Sequence, residues 1–411
     1  MERVILHSDM NCFYASVETM LHPELKGKAM AVCGSVEERH GIVLAKSEKA
    51  KKAGVKTGMA AWQAKEVCPD IIFREPDYPQ YVKYSRATRE IYGRFTDFVE
   101  PFGMDECWLD MTKSGIFGSG PEIAETLRRT IREELGLTVS VGVSFNKIFA
   151  KLGSDMKKPD AVTVLSRENY RQKVWPLPVG DLLYAGPATV RKLAGIGIRT
   201  IGDLAAADPS YIRRLLGVNG LKLMVFARGE DTSRVMPKGT VIPPKSIGHG
   251  VTCMRDLKTP EEVRLVILKL SQEIGRRLRE ENALAAGVRL YVRGSDLSFS
   301  GFGEGLIEPT RSAREIAGIA DEFYREKLSF VKEVRQVTVS VYSLVSENDA
   351  WQPWLFSDRE GRDRLDRAET AVEEIRGRFG RNAVIPASLL LETAVPDDGR
   401  HLVKMPDLMY T

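Results

Sequence analysis

The chain has 411 residues, of which 43% are hydrophobic and 28% are charged, as in ordinary soluble globular proteins. This length accommodates roughly two to four domains. The 60 basic and 56 acidic side chains leave a formal net charge of +4, which is too small to indicate a polyanionic partner by itself. The five cysteines are scattered without Cys-x-x-Cys spacing, which argues against a zinc site or a disulfide framework. We find no apolar targeting segment and no apolar run of membrane length, so we predict a cytoplasmic protein without a membrane partner.

The first predicted element is a buried strand at Val4–Leu6, and Asp9 follows at its C-terminal end. Ligands of α/β folds collect at such strand ends. A helix is predicted to begin at Tyr14 and to continue to Met20. Asp9 is therefore a candidate ligand-binding residue between a strand and a helix.

The next segment combines a short strand at residues 42–44 with a short helix that begins near Ser47 and ends at Gly54. Five lysines crowd this region: Lys46, Lys49, Lys51, Lys52 and Lys56. A solvated helix face accounts for about half of them. The helix N-terminus at Ser47 is also a natural anion site, so the segment is a candidate for phosphate binding.

Asp105 and Glu106 stand where a predicted hairpin leaves its turn at Gly103. Neighbours in a straight strand point to opposite faces, so both carboxylates can serve one site only at a bent tip. Adjacent carboxylates repel each other, and a cation or a base relieves this repulsion most directly. A solvated turn is the alternative interpretation.

Asp9 supplies a third carboxylate in a matching setting, at the end of another predicted strand. Three carboxylates on neighbouring strand ends, without a competing cluster of Cys or His, suit hard divalent ions and Mg²⁺ above all. Two such ions can hold the attacking and leaving oxygens of a phosphoryl transfer. The sequence therefore predicts a magnesium site with Asp9, Asp105 and Glu106 as ligands.

The middle of the chain alternates strand, helix and hairpin. Ser119 and Glu122 form a predicted capping box, which opens a helix with one apolar face that ends at Gly136. A strand at residues 138–143 and a helix from Asn146 to Leu152 follow. Lys157-Lys158-Pro159 comes next and is, on its own, typical of a surface turn.

The segment from about Trp175 to Asp231 consists of short amphipathic helices joined by Gly-containing turns. Residues 171–245 contain 12 basic and five acidic side chains, an excess typical of nucleic-acid contact. The turns resemble helix-hairpin-helix elements, whose main-chain N–H groups hold DNA phosphates without reading sequence. An ordinary helical bundle is the alternative.

The C-terminal part begins with a proline-containing linker. We predict the linker at residues 236–244, a helix at 260–281, strands at 286–292 and 334–344, and a charged helix at 362–379. Between the last strand and the last helix, Trp354, Leu355 and Phe356 form an apolar cluster that needs a burial partner. Either the body of the protein or a second protein could provide that partner.

Two motifs resemble the signatures of Y-family translesion DNA polymerases, most closely the bacterial DNA polymerase IV-like branch. They are DMNCFYASVE at residues 9–18 and MDECWLD at residues 104–110, and the resemblance continues along nearly the whole chain. It implies an α+β multidomain fold, with a ferredoxin-like palm, fingers, a helical helix-hairpin-helix thumb and an α/β little-finger domain. The implied bounds are 1–11 and 79–170 for the palm, 12–78 for the fingers, 171–235 for the thumb, 236–244 for the linker, 245–345 for the little finger, and 346–411 for a clamp-binding peptide and a C-terminal appendage.

The resemblance implies a low-fidelity DNA polymerase that adds dNTPs to the 3′ end of a primed DNA template with two Mg²⁺ ions. Asp9, Asp105 and the main-chain carbonyl of Met10 would hold the ions, and Glu106 would complete the ion that activates the primer hydroxyl. Tyr14, beside Phe13, would be the steric gate that excludes a 2′-hydroxyl. Both aromatic residues could also be plain core residues.

Ser47, Lys51 and Lys158 are the implied triphosphate contacts. The family commonly has a Tyr and an Arg where this chain has Glu48 and Lys51. Lys51 preserves the charge but loses the bidentate fork of an arginine. Glu48 would repel phosphate if it faced inward, so we place it outside the direct contact set.

Two further contacts are implied by resemblance. The amides of Gly186 and Ala188 would hold a DNA phosphate, although Tyr184 replaces a glycine of the family's Gly-x-Gly turn and weakens the contact. Gln352, Leu355 and Phe356 match the Gln-x-x-Leu-Phe peptide that inserts into the bacterial sliding clamp.

Two rival functions stay open at this point. A nucleotidyl cyclase also mounts carboxylates on a ferredoxin-like core, but it does not explain the basic helical segment. A catalytically silent factor that binds DNA and the clamp is made more plausible by Glu48, and it predicts binding without dNTP incorporation.

Overall fold

The computed structural model describes residues 2–35, 39, 41–349, 354, 357–390 and 395. These residues form two compact units. The first unit contains the described residues of 1–34 and 42–242, and the second contains those of 35–41 and 243–399. Among the described residues, no helix has the length and apolar character that crossing a membrane requires.

The first unit contains eight strands and eleven helices among its described residues. Its strands are β1 (Ile5–Met10), β2 (Met30–Cys33), β3 (Val43–Lys46), β4 (Ile72–Arg74), β5 (Val99–Pro101), β6 (Glu106–Asp110), β7 (Val139–Ser144) and β8 (Val162–Leu165). Its helices are α1 (Phe13–Leu21), α2 (Glu48–Lys52), α3 (Ala61–Val67), α4 (Tyr78–Tyr92), α5 (Gly120–Leu135), α6 (Lys147–Met156), α7 (Tyr170–Val174), α8 (Pro187–Ala194), α9 (Ile201–Ala206), α10 (Pro209–Leu216) and α11 (Val218–Ala227).

A five-stranded sheet of order β5-β6-β1-β7-β8 is the framework of the first unit. β1 pairs antiparallel with both β6 and β7, whereas β7 and β8 are parallel. Side chains alternate across a sheet, so Leu6 and Met10 join the core beneath α4 and α5, while Ile5 contacts Ala150 of α6 on the other face. β1 therefore lies at the centre of the sheet, with helices on both of its faces.

The capping box predicted for α5 is present, because the Glu122 carboxylate accepts a hydrogen bond from the Ser119 N–H at 2.7 Å. Ile123, Leu127 and Ile131 are fully buried on its apolar face. Burying a side chain of this size stabilises the fold by roughly 1.5–3 kcal/mol. These three residues thus fix α5 on the sheet.

Two smaller substructures complete the first unit. A three-stranded sheet of order β3-β2-β4 packs with α2 and α3 around a core that includes Ala50 and Ala64. Helices α7 to α11 share a core that includes Leu193, Leu204 and Leu223, together with Phe149 and Leu152 of α6. The short helices expected in this part of the chain are therefore present.

The second unit has a four-stranded antiparallel sheet of order β11-β10-β12-β9. Its elements are β9 (Ser246–Leu257), α12 (Pro260–Glu280), β10 (Ala283–Gly294), β11 (Phe299–Thr310), α13 (Ala313–Phe323), β12 (Val334–Ser346) and α14 (Arg359–Phe379). Apolar residues of the sheet, α12 and α13 share one core. The expected α+β multidomain fold is confirmed, whereas β9 and β11 were not predicted from the sequence.

The beginning of the predicted linker is anchored to the first unit. The Met236 N–H donates to the Glu100 carboxylate at 2.9 Å, and the Lys238 N–H donates to the Asp97 carbonyl at 2.7 Å. The boundary between the compact units falls after residue 242. The domain bounds given above stay predictions, because compact units and functional domains need not coincide.

Candidate active site

Strand pairing brings Asp9 and Glu106 together. Asp9 near the end of β1 is paired with Glu106 at the start of β6, and His7 is paired with Trp108. Because paired residues of an antiparallel ladder project on the same face, these four side chains share the face covered by α6. Gly142 on β7 permits the close approach of this helix, since an added Cβ would overlap the main chain of Ala150.

Asp105 lies in the turn just before β6, after Gly103 with a φ of 140°. The Met10 N–H donates to the Asp105 carbonyl at 3.0 Å, which attaches the turn to β1. Helix α4 fixes the other side, because the Ser85 hydroxyl donates to the Met104 carbonyl and Arg89 donates to the Gly103 carbonyl at 3.3 Å. The turn is thus held from both sides.

Two lysines lie among these carboxylates. The Lys151 Nζ of α6 is 2.9 Å from Glu106 and 3.5 Å from Asp9, and the Lys158 Nζ is 2.8 Å from Asp9. Both ammonium groups also contact Asp155, at 3.3 Å and 2.8 Å respectively. The lysines therefore partly neutralise the carboxylates.

Burial and mutual repulsion perturb the pKa values of the three carboxylates. Burial and repulsion from Glu106 raise the pKa of Asp9 to about 7 and the pKa of Asp105 to about 6. Burial also disfavours the charged form of Glu106, but contacts with His7 and Lys151 outweigh it and lower the pKa of Glu106 to about 2. Burial lowers the pKa of His7 itself to about 4, so its imidazole is neutral at physiological pH.

This donor set fits a divalent cation. The carboxylates supply oxygen ligands of the kind that hard cations prefer, and burial and repulsion from Glu106 raise the pKa values of two of them, Asp9 and Asp105. Over the part of the chain that the structure describes, no three His, Cys, Asp or Glu side chains converge as a ready-made metal cluster. A metal ion can therefore bind here only if the two lysines release the carboxylate oxygens that they contact.

Tyr14 lies on α1, beside the carboxylates. Its ring stacks on Tyr81 of α4, with ring centroids 4.2 Å apart and an interplanar angle of 10°. After burial, the charge of Asp105 is the next cause that raises the pKa of the Tyr14 hydroxyl. Phe13, in contrast, is 3% exposed and belongs to the core, so a nucleotide contact of Phe13 would involve its main chain.

The two predicted phosphate contacts on α2 differ in their availability. The Ser47 Oγ accepts a hydrogen bond from the Ala50 N–H at 3.3 Å and caps the helix. The Lys51 Nζ lies 3.6 Å from Glu48, whose carboxylate also accepts a hydrogen bond from the Cys12 thiol at 3.1 Å. Glu48 is therefore directed towards the residue that precedes α1, and its charge opposes that of Lys51.

Asn11 secures the segment that carries Lys158. Its side-chain amide donates to the Ser140 hydroxyl at 2.9 Å, and its side-chain oxygen accepts from the Asp160 N–H at 2.8 Å. The residue is buried. The Asn11 side chain therefore links β7 to the segment that carries Lys158.

In the helical part of the first unit, Gly186 is the residue that precedes α8. Tyr184 has a φ of 69°, a left-handed conformation that favours glycine. The residue is 63% exposed. The phosphate contact predicted for the amides of Gly186 and Ala188 stays a prediction. The predicted clamp residues Gln352, Leu355 and Phe356 lie outside the described residues.

Comparisons with known proteins identify the family. The impB/mucB/samB family model matches residues 8–155, and the model of that family's C-terminal domain matches residues 244–353. A DNA polymerase IV of Acetivibrio thermocellus is 46% identical over 391 residues, which cover 95% of this chain and 98% of that protein. The chain belongs to the DNA polymerase IV family.

Other members of the DNA polymerase IV family are also similar to this chain over nearly its full length. The DNA polymerase IV of Desulfatibacillum aliphaticivorans is 36% identical over 96% of this chain and 98% of its own length. DNA polymerase IV 1 of Bacillus subtilis is 36% identical over 93% of this chain and 92% of its own length. The predicted family and enzyme class, a DNA-directed DNA polymerase of the translesion type, are confirmed, and neither rival function is favoured.

A solved structure supports the fold separately. A chimeric Y-family DNA polymerase superposes with a TM-score of 0.74 at 24% identity, over 84% of this chain and 99% of that chain. At this identity the likeness concerns the fold alone. It agrees with the predicted α+β multidomain fold.

Several residues of the site were missed in the sequence. They are His7, Tyr81, Ser85, Arg89, Lys151 and Asp155. A signal existed for Lys151, since it lies four residues before Asp155 on one helix face. Nothing in the sequence indicates that this face meets β1, because that depends on how the helix packs.

Proposed function

We propose that this DNA polymerase IV family member adds dNTPs to a primer 3′ end on a DNA template by two-metal-ion phosphoryl transfer. The observation that carries the proposal is the pairing of Asp9 with Glu106 on adjacent strands, with Asp105 in the turn just before β6. Electrostatic interactions join all three carboxylates, and Asp105 also interacts with the gate residue Tyr14. The proposed metal site and the proposed gate would therefore lie next to each other.

Asp9, Asp105 and the Met10 carbonyl would hold both Mg²⁺ ions, and Glu106 would complete the site next to the primer end. When bound, the ions supply Lewis acidity that lowers the pKa of the primer hydroxyl and neutralises charge on the leaving pyrophosphate. The protein contributes position: two strands and a turn held by α4 fix the ligands before substrate arrives.

The remaining predicted residues would arrange the nucleotide. The Tyr14 ring would fill the space beneath the sugar and exclude a 2′-hydroxyl, and its stack on Tyr81 supports a fixed ring position. Lys158 and Lys51 would neutralise the triphosphate. Ser47 would act through the N-terminus of α2, because its own hydroxyl oxygen caps that helix.

DNA would be held by main-chain and basic groups. The amides of Gly186 and Ala188 at the start of α8 and the basic residues of 171–245 suit contacts to phosphates. The peptide with Gln352, Leu355 and Phe356 would bind a bacterial sliding clamp. Neither the phosphate contacts nor the clamp contact depends on base sequence, as a template-directed enzyme requires.

The test is primer extension with Mg²⁺, a primed template and dNTPs. We expect Asp105→Ala/Glu106→Ala to abolish extension without loss of DNA binding. Glu125→Ala/Glu133→Ala is the matched control, since it removes two exposed carboxylates from α5 and should extend normally. Extension by the first variant, or DNA binding without any extension by the wild type, would reject the proposal.

The gate has its own test with rNTPs. Tyr14→Ala should admit ribonucleotides, whereas Tyr14→Phe keeps the ring and should exclude them. Equal ribonucleotide incorporation by wild type and Tyr14→Ala would remove Tyr14 from the proposal but leave the metal site intact.

A further inference from the structure

Lys151 occupies an unusual position for a buried lysine. Its side chain is 13% exposed, and its Nζ lies 2.9 Å from Glu106 and 3.5 Å from Asp9. These carboxylates come from two different strands, β6 and β1. A structural lysine needs only one such partner to satisfy its charge, whereas this ammonium group lies between two carboxylates that the proposed function assigns to metal.

We propose that Lys151 is a positioning residue that stands in for a divalent cation between Asp9 and Glu106 in the metal-free enzyme and yields these oxygens when metal binds. The inference rests on the proposed function, because it takes both carboxylates as metal ligands. An ammonium group and a divalent ion compete for the same oxygens. Lys151 therefore lets mutually repelling carboxylates pack together, at the expense of metal affinity.

Asp155 provides the alternative acceptor. It lies one helical turn after Lys151, its side chain is 45% exposed, and it is already 3.3 Å from the Lys151 Nζ. The Lys158 Nζ lies between Asp9 and Asp155, at 2.8 Å from each. Both lysines can thus transfer to Asp155 through a small side-chain rotation, without leaving an ammonium group unpaired.

The proposal predicts effects of opposite sign. Lys151→Gln removes the competing cation, so the metal-free protein should lose thermal stability while its affinity for Mn²⁺ rises by at least about tenfold. Asp155→Asn removes the alternative acceptor, so its Mn²⁺ affinity should fall. Lys151→Arg retains the positive charge and should keep an affinity near that of the wild type.

Lys147 is a matched control on the same helix. Its side chain is 11% exposed, its Nζ is 2.6 Å from Glu100, and it lies over the Trp108 ring at 4.2 Å from the centroid. Lys147→Gln therefore removes an equally buried, carboxylate-paired lysine outside the proposed metal site. It should destabilise the protein without raising Mn²⁺ affinity.

The experiment is a titration of the full chain with Mn²⁺ alone, in which electron paramagnetic resonance measures the concentration of the free ion. Thermal unfolding is measured on the same samples. Asp105→Ala/Glu106→Ala sets the background. Tighter binding by Lys151→Gln but not by Lys147→Gln, with weaker binding by Asp155→Asn, supports the proposal.

Contrary outcomes distinguish a failure of the proposed metal site from a failure of the proposed role of Lys151. Wild-type binding no greater than the background would overturn the proposed metal site and this inference with it. Wild-type binding that Lys151→Gln leaves unchanged would overturn the inference alone. If Lys151→Gln fails to fold, Asp155→Asn decides, because an affinity equal to that of the wild type contradicts the role of the lysine and its acceptor.

Discussion

The Tyr81 hydroxyl donates a 2.6 Å hydrogen bond to the Glu18 carboxylate, and both side chains are buried. The same Tyr81 ring is stacked on Tyr14. The hydrogen bond fixes the ring that supports the proposed sugar gate. The rigidity of the proposed gate thus depends on a residue of α4 that lies outside both sequence motifs.

Tyr81→Ala should therefore weaken discrimination against ribonucleotides. An aromatic stack is worth roughly 0.5–1.5 kcal/mol, so the ratio of dNTP to rNTP incorporation should fall by roughly 2- to 10-fold. Single-nucleotide incorporation with matched dNTP and rNTP measures this ratio.

Tyr81→Phe is the control, since it keeps the stack and loses only the hydrogen bond to Glu18. It should retain discrimination but unfold more easily, by about 1–3 kcal/mol for a buried acceptor left without its donor. If both variants discriminated like the wild type, Tyr81 would have no part in the gate.

Glu48 should limit nucleotide affinity, because its carboxylate pairs with Lys51 and accepts the Cys12 hydrogen bond. Glu48→Gln keeps an acceptor for Cys12 but removes the charge. Exposed ion pairs are worth less than about 1 kcal/mol, so we expect KM for dNTP to fall by roughly two- to fivefold with kcat unchanged. Steady-state incorporation kinetics test this.

Glu66→Gln is the comparison, because Glu66 is an exposed carboxylate of the neighbouring helix α3. It should leave KM unchanged. A KM in Glu48→Gln that matched the wild type would show that Lys51 is not restrained by its partner.

The sequence was informative where local pattern decides structure. The strand before Asp9, the hairpin at Gly103 and the capping box at Ser119 all depend on neighbouring residues, and the structure contains each of them. Two of the predicted carboxylates, Asp9 and Glu106, accordingly lie on adjacent strands, and Asp105 lies in the turn just before β6.

Elements were missed where tertiary contacts override local pattern. Helix α4 buries Ser85 and Thr88 beside Tyr81 and Tyr92, so its core-facing side lacks an apolar period. Strand β11 contains glycines in alternation, at 301, 303 and 305, and these disfavour a strand locally. Which residues of α4 and α6 reach the carboxylates depends on helix packing, and this is why Arg89 and Lys151 were not predicted.

Arg289 and Arg293 should contribute to DNA binding. They project from β10 on the face opposite the core, with guanidinium groups over the rings of Tyr342 and Phe299 at 4.9 Å and 4.8 Å from the centroids. Stacked arginines on an open sheet suit phosphate contacts. The double change to alanine should weaken binding to all sequences alike and reduce the salt slope by about one for each lost phosphate contact.

Arg264→Ala provides the comparison, because Arg264 is an exposed arginine on α12, the helix that covers the other face of the sheet. Fluorescence anisotropy over a series of salt concentrations measures both slopes. Identical slopes for the double variant and Arg264→Ala would exclude this sheet face as a phosphate-binding surface.

Glu273 on α12 should make the second unit sensitive to acid. Its carboxylate is 6% exposed and contacts Arg276, Arg277 at 3.1 Å and Arg381 at 2.6 Å. Burial opposes the charged form, but the arginines outweigh it and lower the pKa of Glu273 from 4.5 to about 2. This difference corresponds to about 3 kcal/mol of stability.

Glu273 stabilises the second unit only while its carboxylate is ionised. Because the folded pKa lies below the unfolded value, the contribution is complete above pH 4.5 and is lost as the pH falls towards 2. Glu273→Gln should therefore lower the unfolding midpoint at neutral pH, and its difference from the wild type should shrink across that window. Glu280→Gln, which changes a 51% exposed partner of Arg276 on the same helix, should show almost no such dependence. Scanning calorimetry at a series of pH values decides, since a constant difference between Glu273→Gln and the wild type would mean that packing rather than charge stabilises this cluster.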